Sequence, residues 1–264
     1  MTLSRFLLVC AATLGAVLLA PPARAAPEQA GPCPVARVPP LVLPHVKDAV
    51  ARNLEVIIVA LGSSSTQGWH SSDIAHSYPA ILQSELAAAL TESHIAVINR
   101  GIGGQDAVEM VPRIRNDVLL VRPTVVVWQV GANGAIKKLD PEMFQSLVEQ
   151  GVRTMQDAGV DVVLMDNQQA PAILAAPQHA RIAQALADVA IRTGAGLFGR
   201  GALMDQWRHA GHPYTEFIAD DGVHHNDLGY RCVAKALAAS MLEGMGVQPA
   251  AQPRPPSPSL TARR

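Results

Sequence analysis

Glu55–Gly68 reads Glu-Val-Ile-Ile-Val-Ala-Leu-Gly-Ser-Ser-Ser-Thr-Gln-Gly, and its two halves carry different information. Val56–Leu61 is an unbroken apolar run, the pattern of a strand covered on both faces in a parallel sheet. Gly62 ends the run, and three serines and a threonine follow before Gly68. Small residues at the carboxyl end of such a strand let a substrate approach the backbone. A serine there directs its hydroxyl into the crevice where open α/β sheets bind ligands. A polar turn without chemistry fits the same residues. A phosphate-cradling loop does not, because the Gly-x-x-x-x-Gly-Lys-Ser/Thr spacing is missing and no lysine follows.

Outward from this strand the chain alternates between two periodicities. Ile95–Asn99, Thr124–Val130, Val160–Met165 and the weaker Gly196–Phe198 read as further strands. Helical spacing falls between them: a short helix at His45–Asn53, then Tyr78–Glu92 with Ser77 as its cap, and Asp106–Leu120 closed by Pro123. Glu142–Ala158 and Gln178–Arg192 follow, and Asn226 or Asp227 caps a last helix that runs to about Met245. Gly201–Asp220, with Trp207, His209, His212 and Tyr214, reads as irregular. Alternation throughout, with no hairpin signal, predicts an α/β fold. The expected architecture is a three-layer α/β/α sandwich on a five-stranded parallel sheet, in the flavodoxin-like order 2-1-3-4-5.

The ends of the chain differ from its middle. Met1–Ala25 carries Arg5, an apolar run from Phe6 to Ala20, two prolines and Ala23-Arg24-Ala25, which together read as a secretory signal peptide. As a helix the run would span roughly 22 Å, short of the ~30 Å hydrocarbon core of a bilayer. Residues 26–54 form a proline-rich leader with the short helix, 55–246 the domain, and 247–264 a proline-rich tail that reads as disordered. The formal net charge of −1 and the spread of lysine and arginine leave no nucleic-acid footprint. After signal cleavage Cys33 and Cys232 remain. In an exported protein they either pair or stand as two small thiols.

Chemistry-bearing residues fall where strands end. Ser64 follows the first strand, Gly104 the second and Asn133 the third, and Asp221-Gly222-Val223-His224 precedes the last helix. A serine hydroxyl is a poor nucleophile at neutral pH until a base takes its proton, and a histidine does this. A carboxylate three residues before that histidine sits on one side of a tight turn and can accept the imidazole Nδ1–H, fixing its tautomer. The N–H groups of Ser64 and Gly104 and the Asn133 amide can then hold an oxyanion.

These residues resemble the SGNH hydrolases, also called GDSL-type esterases and lipases, over roughly Val56–Gly246. The first family block, Gly-Asp-Ser-x-x-x-Gly, is similar to Gly62-Ser63-Ser64-Ser65-Thr66-Gln67-Gly68, which implies Ser64 as nucleophile. Asn99-Arg100-Gly101-Ile102-Gly103-Gly104 resembles the second block and implies Gly104 as an oxyanion donor. Gly131-Ala132-Asn133-Gly134 resembles the third, Gly-x-Asn-Asp, and implies Asn133 as another. Asp221-Gly222-Val223-His224 matches the last block, Asp-x-x-His, in full. Ser63 and Gly134 each replace a family aspartate, and neither position moves a proton in the family.

The resemblance implies an exported serine esterase working through an acyl-enzyme, with no cofactor and no metal. Its expected substrate is a small-molecule or glycan ester, an O-acetyl carbohydrate above all, because the loops are short and aromatics make up only 4% of the chain. The segments available to line the site are Asp166–Gln169 and Trp207–Tyr214, although Trp207 and Tyr214 themselves read first as core or lid packing. A lysophospholipase or thioesterase of the same family is the alternative, followed by a non-catalytic carbohydrate-binding domain. No nucleic-acid partner and no stable membrane insertion after signal cleavage are expected. His225 reads as a solvated helix-entry residue, and Met165, Met204 and Met241 as core filler. His209, His212, Asp221 and His224 lack the spacing of a zinc motif.

Overall fold

Side-chain alternation along the strands builds three layers. The computed structural model of the chain describes residues 32–247; the expected signal segment and the tail beyond Val247 lie outside the described residues. In β1 (Val56–Gly62), Ile58 and Ala60 enter one buried cluster while Val59 and Leu61 enter the other. A strand buried on both faces favours an apolar side chain at every position that lacks a polar partner, hence the unbroken apolar run. β2 (Ile95–Gly101), β3 (Val125–Gln129), β4 (Asp161–Met165) and β5 (Gly196–Phe198) complete the sheet. All pairings are parallel, in the expected order β2-β1-β3-β4-β5.

Helices cover both faces. They are α1 (Pro44–Ala51), α2 (Ser64–Gln67), α3 (Tyr78–Ala89), α4 (Ala107–Arg113), α5 (Ala132–Ile136), α6 (Pro141–Gln156), α7 (Pro171–Leu174), α8 (His179–Thr193), α9 (Arg200–His209) and α10 (Asp227–Gly244). α1, α3, α9 and α10 pack on one face, and α4, α6 and α8 on the other. Among the described residues no helix is long and apolar enough to cross a membrane.

The helices depart from the sequence reading in three places. Asp106–Leu120 is not one helix: α4 ends at Arg113, and a π-helical turn (Ile114–Val118) and a 3₁₀ turn (Leu119–Val121) follow. Pro112 sits inside α4, where it lacks an N–H and crowds the preceding turn, so the ladder cannot continue evenly. The helix begun at Tyr78 stops at Ala89, short of Glu92. Gly201–Asp220 is largely ordered, since α9 buries Leu203, Met204 and Trp207. Its i, i+4 signal is diluted by Gly201, His209, His212 and Pro213. Met165, Met204 and Met241 are buried in the core.

The leader is part of the packed structure. Leu41 and Leu43 are buried, Leu41 N–H donates to Ser240 O at 3.0 Å, and Ser240 Oγ donates to Pro39 O. A Cβ at Gly244 would lie 1.7 Å from Leu41 O, so only glycine lets this strap lie on α10. Cys33 and Cys232 are joined by a disulfide across a sequence separation of 199 residues. Closing so long a loop restricts the unfolded chain by roughly 5 kcal/mol on the chain-entropy account. Reduction should therefore lower the melting temperature by about 5–15 °C. Circular dichroism melts with and without dithiothreitol check this, and coincident melts would contradict it.

Candidate active site

Three donors converge on one side-chain carbonyl where β1 gives way to α2. Gln129, the last residue of β3, is buried, and its Oε1 accepts from Ser63 N–H at 3.0 Å, Ser63 Oγ at 3.0 Å and Thr66 Oγ1 at 3.2 Å. This fixes the turn from which Ser64 starts α2. It also accounts for a serine in place of the family aspartate at position 63: its hydroxyl satisfies the neighbouring strand. Nothing in the sequence marked Gln129, because its role depends on a contact 66 residues away.

On the opposite wall the Asp-x-x-His turn folds on itself. Ala219 N–H donates to His224 O at 2.8 Å, and Ile218 and His225 form an antiparallel bridge. Asp221 Oδ1 accepts the backbone N–H groups of Val223 and His224, both at 3.0 Å. Its other oxygen lies 2.5 Å from His224 Nδ1, and His224 Nε2 lies 2.7 Å from Ser64 Oγ. Burial opposes ionisation of Asp221, but the His224 hydrogen bond and the two backbone donors outweigh it and hold the carboxyl below its ordinary value. Asn226 rather than Asp227 caps α10, accepting from Gly229 N–H at 2.9 Å, while Asp227 accepts from Ser72 N–H at 2.8 Å.

The loop after β2 forms the third wall. Gly104 has φ +78°, a left-handed conformation suited to glycine, and a Cβ there would meet nothing within 4 Å. None of the hydrogen bonds among the described residues uses its N–H. Gly103 N–H donates to Gln67 Oε1 at 2.8 Å, and Asn133 Nδ2 donates to Gln105 O at 2.8 Å. Asn133 thus ties the loop down with one N–H and keeps a second. Arg113 locks the floor, its guanidinium donating to Gly62 O, Arg100 O and Gln105 Oε1.

Other expectations change. His225 is not solvated but fully buried, edge-on to Tyr230 and 3.1 Å from Phe217 O through Nδ1. Burial and then the Arg200 charge push it down to about 3, so it stays neutral. The turn before α10 carries His225 inward because Ile218 pairs with it across the bridge. Asp166–Gln169 and Trp207 do not form an open rim: Asn167, Gln168 and Trp207 are buried, and Trp207 packs on Phe217. Gln168 instead holds the Asp221–His224 turn, donating to Val223 O at 2.8 Å.

The aromatic groups beside His224 come from a turn that the sequence did not single out. Trp69, half exposed, lies 5.8 Å from the His224 ring, and His70 stacks on it at 5.3 Å with planes 17° apart. His70 Nε2 is 3.1 Å from Asp221 Oδ2. His70, Asp221 and His224 lie close enough for a metal ion. However, His224 already has both ring nitrogens engaged, on Asp221 Oδ2 and Ser64 Oγ. His209 and His212 lie apart from this group; His212 pairs with Glu216 at 2.9 Å. The arrangement is one of proton transfer: a hydroxyl, an imidazole and a carboxylate in line, beside a loop with a free N–H.

Residues 32–247 match the model of the Non-GDSL lipase-like family. No curated protein matches the chain. Among solved structures it is similar to a two-domain esterase active on acetylated mannans, at 23% identity and TM-score 0.66, covering 82% of this chain and 56% of that one. It is similar to a lipase/acylhydrolase from Enterococcus faecalis (22% identity, TM-score 0.61, 75% of this chain and 100% of that one). An acetylxylan esterase from Geobacillus stearothermophilus is alike at 18% identity and TM-score 0.60, over 74% of this chain and 96% of that one. The chain thus spans little more than half the length of the mannan-active enzyme. At these identities the likeness is one of fold.

Gln129→Met keeps the side chain's length but leaves Ser63 N–H and two hydroxyls without their acceptor. Unmet buried donors cost about 1–3 kcal/mol each, so unfolding free energy should fall by about 2–4 kcal/mol. Urea titration measures it, and a loss under about 0.5 kcal/mol would contradict the role given to Gln129.

Proposed function

The chain belongs to the Non-GDSL lipase-like family, a family of SGNH-type hydrolases, and on that premise we propose that it is an exported serine esterase. It removes short acyl groups from carboxylic esters, O-acetyl groups on glycans above all, through an acyl-enzyme. The observation that carries the reading is the continuous proton path from Ser64 Oγ through His224 to Asp221, with links of 2.7 and 2.5 Å.

The steps follow from that path. Ser64 Oγ attacks the ester carbonyl carbon while His224 Nε2 takes its proton, and Asp221 stabilises the imidazolium through Nδ1–H. The N–H groups of Ser64 and Gly104 and the second N–H of Asn133 receive the negative oxygen. Collapse of the intermediate breaks the carbon–oxygen ester bond, and His224 returns the proton to the departing alcohol. Water, deprotonated by His224, then releases the acid and restores Ser64.

Trp69 supports a glycan substrate. Its half-exposed ring next to His224, fixed by Nε1–H donation to Gln67 Oε1 at 3.2 Å, offers the flat apolar face on which a sugar ring packs. Gln67 and His70 stand beside it, and Asn133 and Gln105 are joined to each other at the loop after β2; these polar groups suit a sugar, whereas each CH₂ of a long acyl chain needs apolar cover to gain its roughly 0.8 kcal/mol. The mannan-active and acetylxylan esterases of the same fold lend the reading further support. Export is supported by the Cys33–Cys232 disulfide, a bond that persists in oxidising compartments.

On p-nitrophenyl esters, kcat/KM should fall from acetate and butyrate towards octanoate; a rise to dodecanoate would favour the lysophospholipase reading. Trp69→Ala should raise KM for an acetylated oligosaccharide by about tenfold while leaving p-nitrophenyl acetate within about threefold, in line with losing ~1–2 kcal/mol of ring packing. Equal effects on both substrates would remove the glycan platform. His224→Ala should lower kcat by about 10⁴ or more with the fold intact. His225→Ala should instead lower the melting temperature and spare much of the turnover of the folded protein.

A further inference from the structure

His70 occupies a position the reaction scheme does not use. It stands at φ +64°, a left-handed conformation that is unusual for a residue with a Cβ. The turn that holds it there is well tied: Trp69 N–H donates to Ser64 O, Tyr230 Oη donates to Trp69 O at 2.7 Å, and Ser71 Oγ donates to Gly68 O at 2.6 Å. The outcome is a second imidazole laid flat on the first, with its Nε2 at 3.1 Å from the carboxylate oxygen that His224 Nδ1 uses. Local strain kept in place by surrounding contacts is a reason to look for a role at the site.

Building on the esterase reading, we infer that His70 is a positioning residue whose protonation state sets how readily His224 can carry a positive charge. Neutral, it packs against the His224 ring and keeps it facing Ser64. Protonated, it places a second positive charge beside the imidazolium that His224 becomes whenever Ser64 gives up its proton. It also competes for Asp221 Oδ2, the oxygen that stabilises that imidazolium. Stacked rings without a well-aligned hydrogen bond make the coupling a matter of charge and contact.

The groups that share His70's surroundings are Asp221 and His224 on the facing turn, and Asp220 and Glu216, which line a hollow of about 520 Å³ with it. Asp73 and His76, paired at 3.0 Å, and Asp227 at the start of α10 stand around the adjoining turn. Of these only Asp221 and His224 touch His70, so exchanging the charge at position 70 acts first on the proton path.

The test compares a neutral with a permanently charged replacement. His70→Asn retains a residue that tolerates positive φ, and His70→Lys fixes one positive charge near the same place. Two unit charges about 5 Å apart at a part-solvated site interact by an amount worth on the order of tenfold in an equilibrium or rate. Both variants lose the ring that packs on His224, so their difference isolates the charge: the high-pH plateau of kcat/KM on p-nitrophenyl acetate should lie about tenfold lower in His70→Lys than in His70→Asn. In ¹⁵N-histidine NMR, with His224 identified by loss of its signal in His224→Ala, the titration midpoint of His224 should lie about one pH unit lower in His70→Lys than in His70→Asn. Midpoints that coincide in the two folded variants would overturn the proposal. The NMR comparison does not need turnover, so absence of esterase activity in the wild type would count against the esterase reading alone.

Discussion

Parallel strands end on a common edge, and that constraint assembles this site from distant parts of the chain. Ser64 follows β1, Gly104 follows β2, Asn133 opens α5 after β3, and the Asp221–His224 turn leads into α10. Each crossover returns the chain to the same edge of the sheet, so residues separated by 160 positions meet at 2.7 Å. The apolar run of β1 matters to the chemistry because it fixes where that edge lies. Strand ends there still need partners for their polar groups. Gln129 supplies them between β1 and β3, and Arg113 between β1, β2 and the Gly104 loop.

Adjacent histidines at one turn show how burial divides labour. His224 lies against Ser64 with a carboxylate behind it, a setting that favours taking and returning a proton. His225, one residue on, is enclosed with Arg200 and Tyr230 nearby and is held neutral by burial and by the arginine charge. Asp166 lies in the same interior: burial raises it to about 6, against the opposing pull of Gly201 N–H and Arg200. Buried charges are retained at a cost unless partners surround them. Arg200 donates through Nε to Asp166 O at 3.0 Å, and its terminal nitrogens have no hydrogen-bond partner among the described residues. The Asp221–His224 turn therefore rests on a polar interior, with an apolar core around it.

Much of the fold was legible because strands buried on both faces leave short apolar runs that end at glycine or polar residues, with helical spacing between them. The helix after Asp106 misled because its start carries a capping box with Glu109, while the effect of Pro112 shows only in how the backbone continues. The serine, glycine, asparagine and Asp-x-x-His positions were legible from the motifs, each at a strand or loop end. Gln129, Gln67 and Arg113 were not, since their partners lie far away in sequence. Trp69 and His70 were hidden for a different reason: only the left-handed turn at Gly68–His70 brings them to His224. Trp207 reads as core or lid packing in the sequence, and its place at i+4 from Leu203 puts it in the core.

The proton path requires Ser64 to be the one nucleophile among three consecutive serines. Incubation of the oxidised protein with a fluorophosphonate, followed by intact mass and peptide mapping, tests this without a choice of substrate. A single adduct on Ser64, absent from His224→Ala, is the predicted result. An adduct on Ser63 or Ser65, or none on protein shown to be folded, would contradict the proton path on which the function rests.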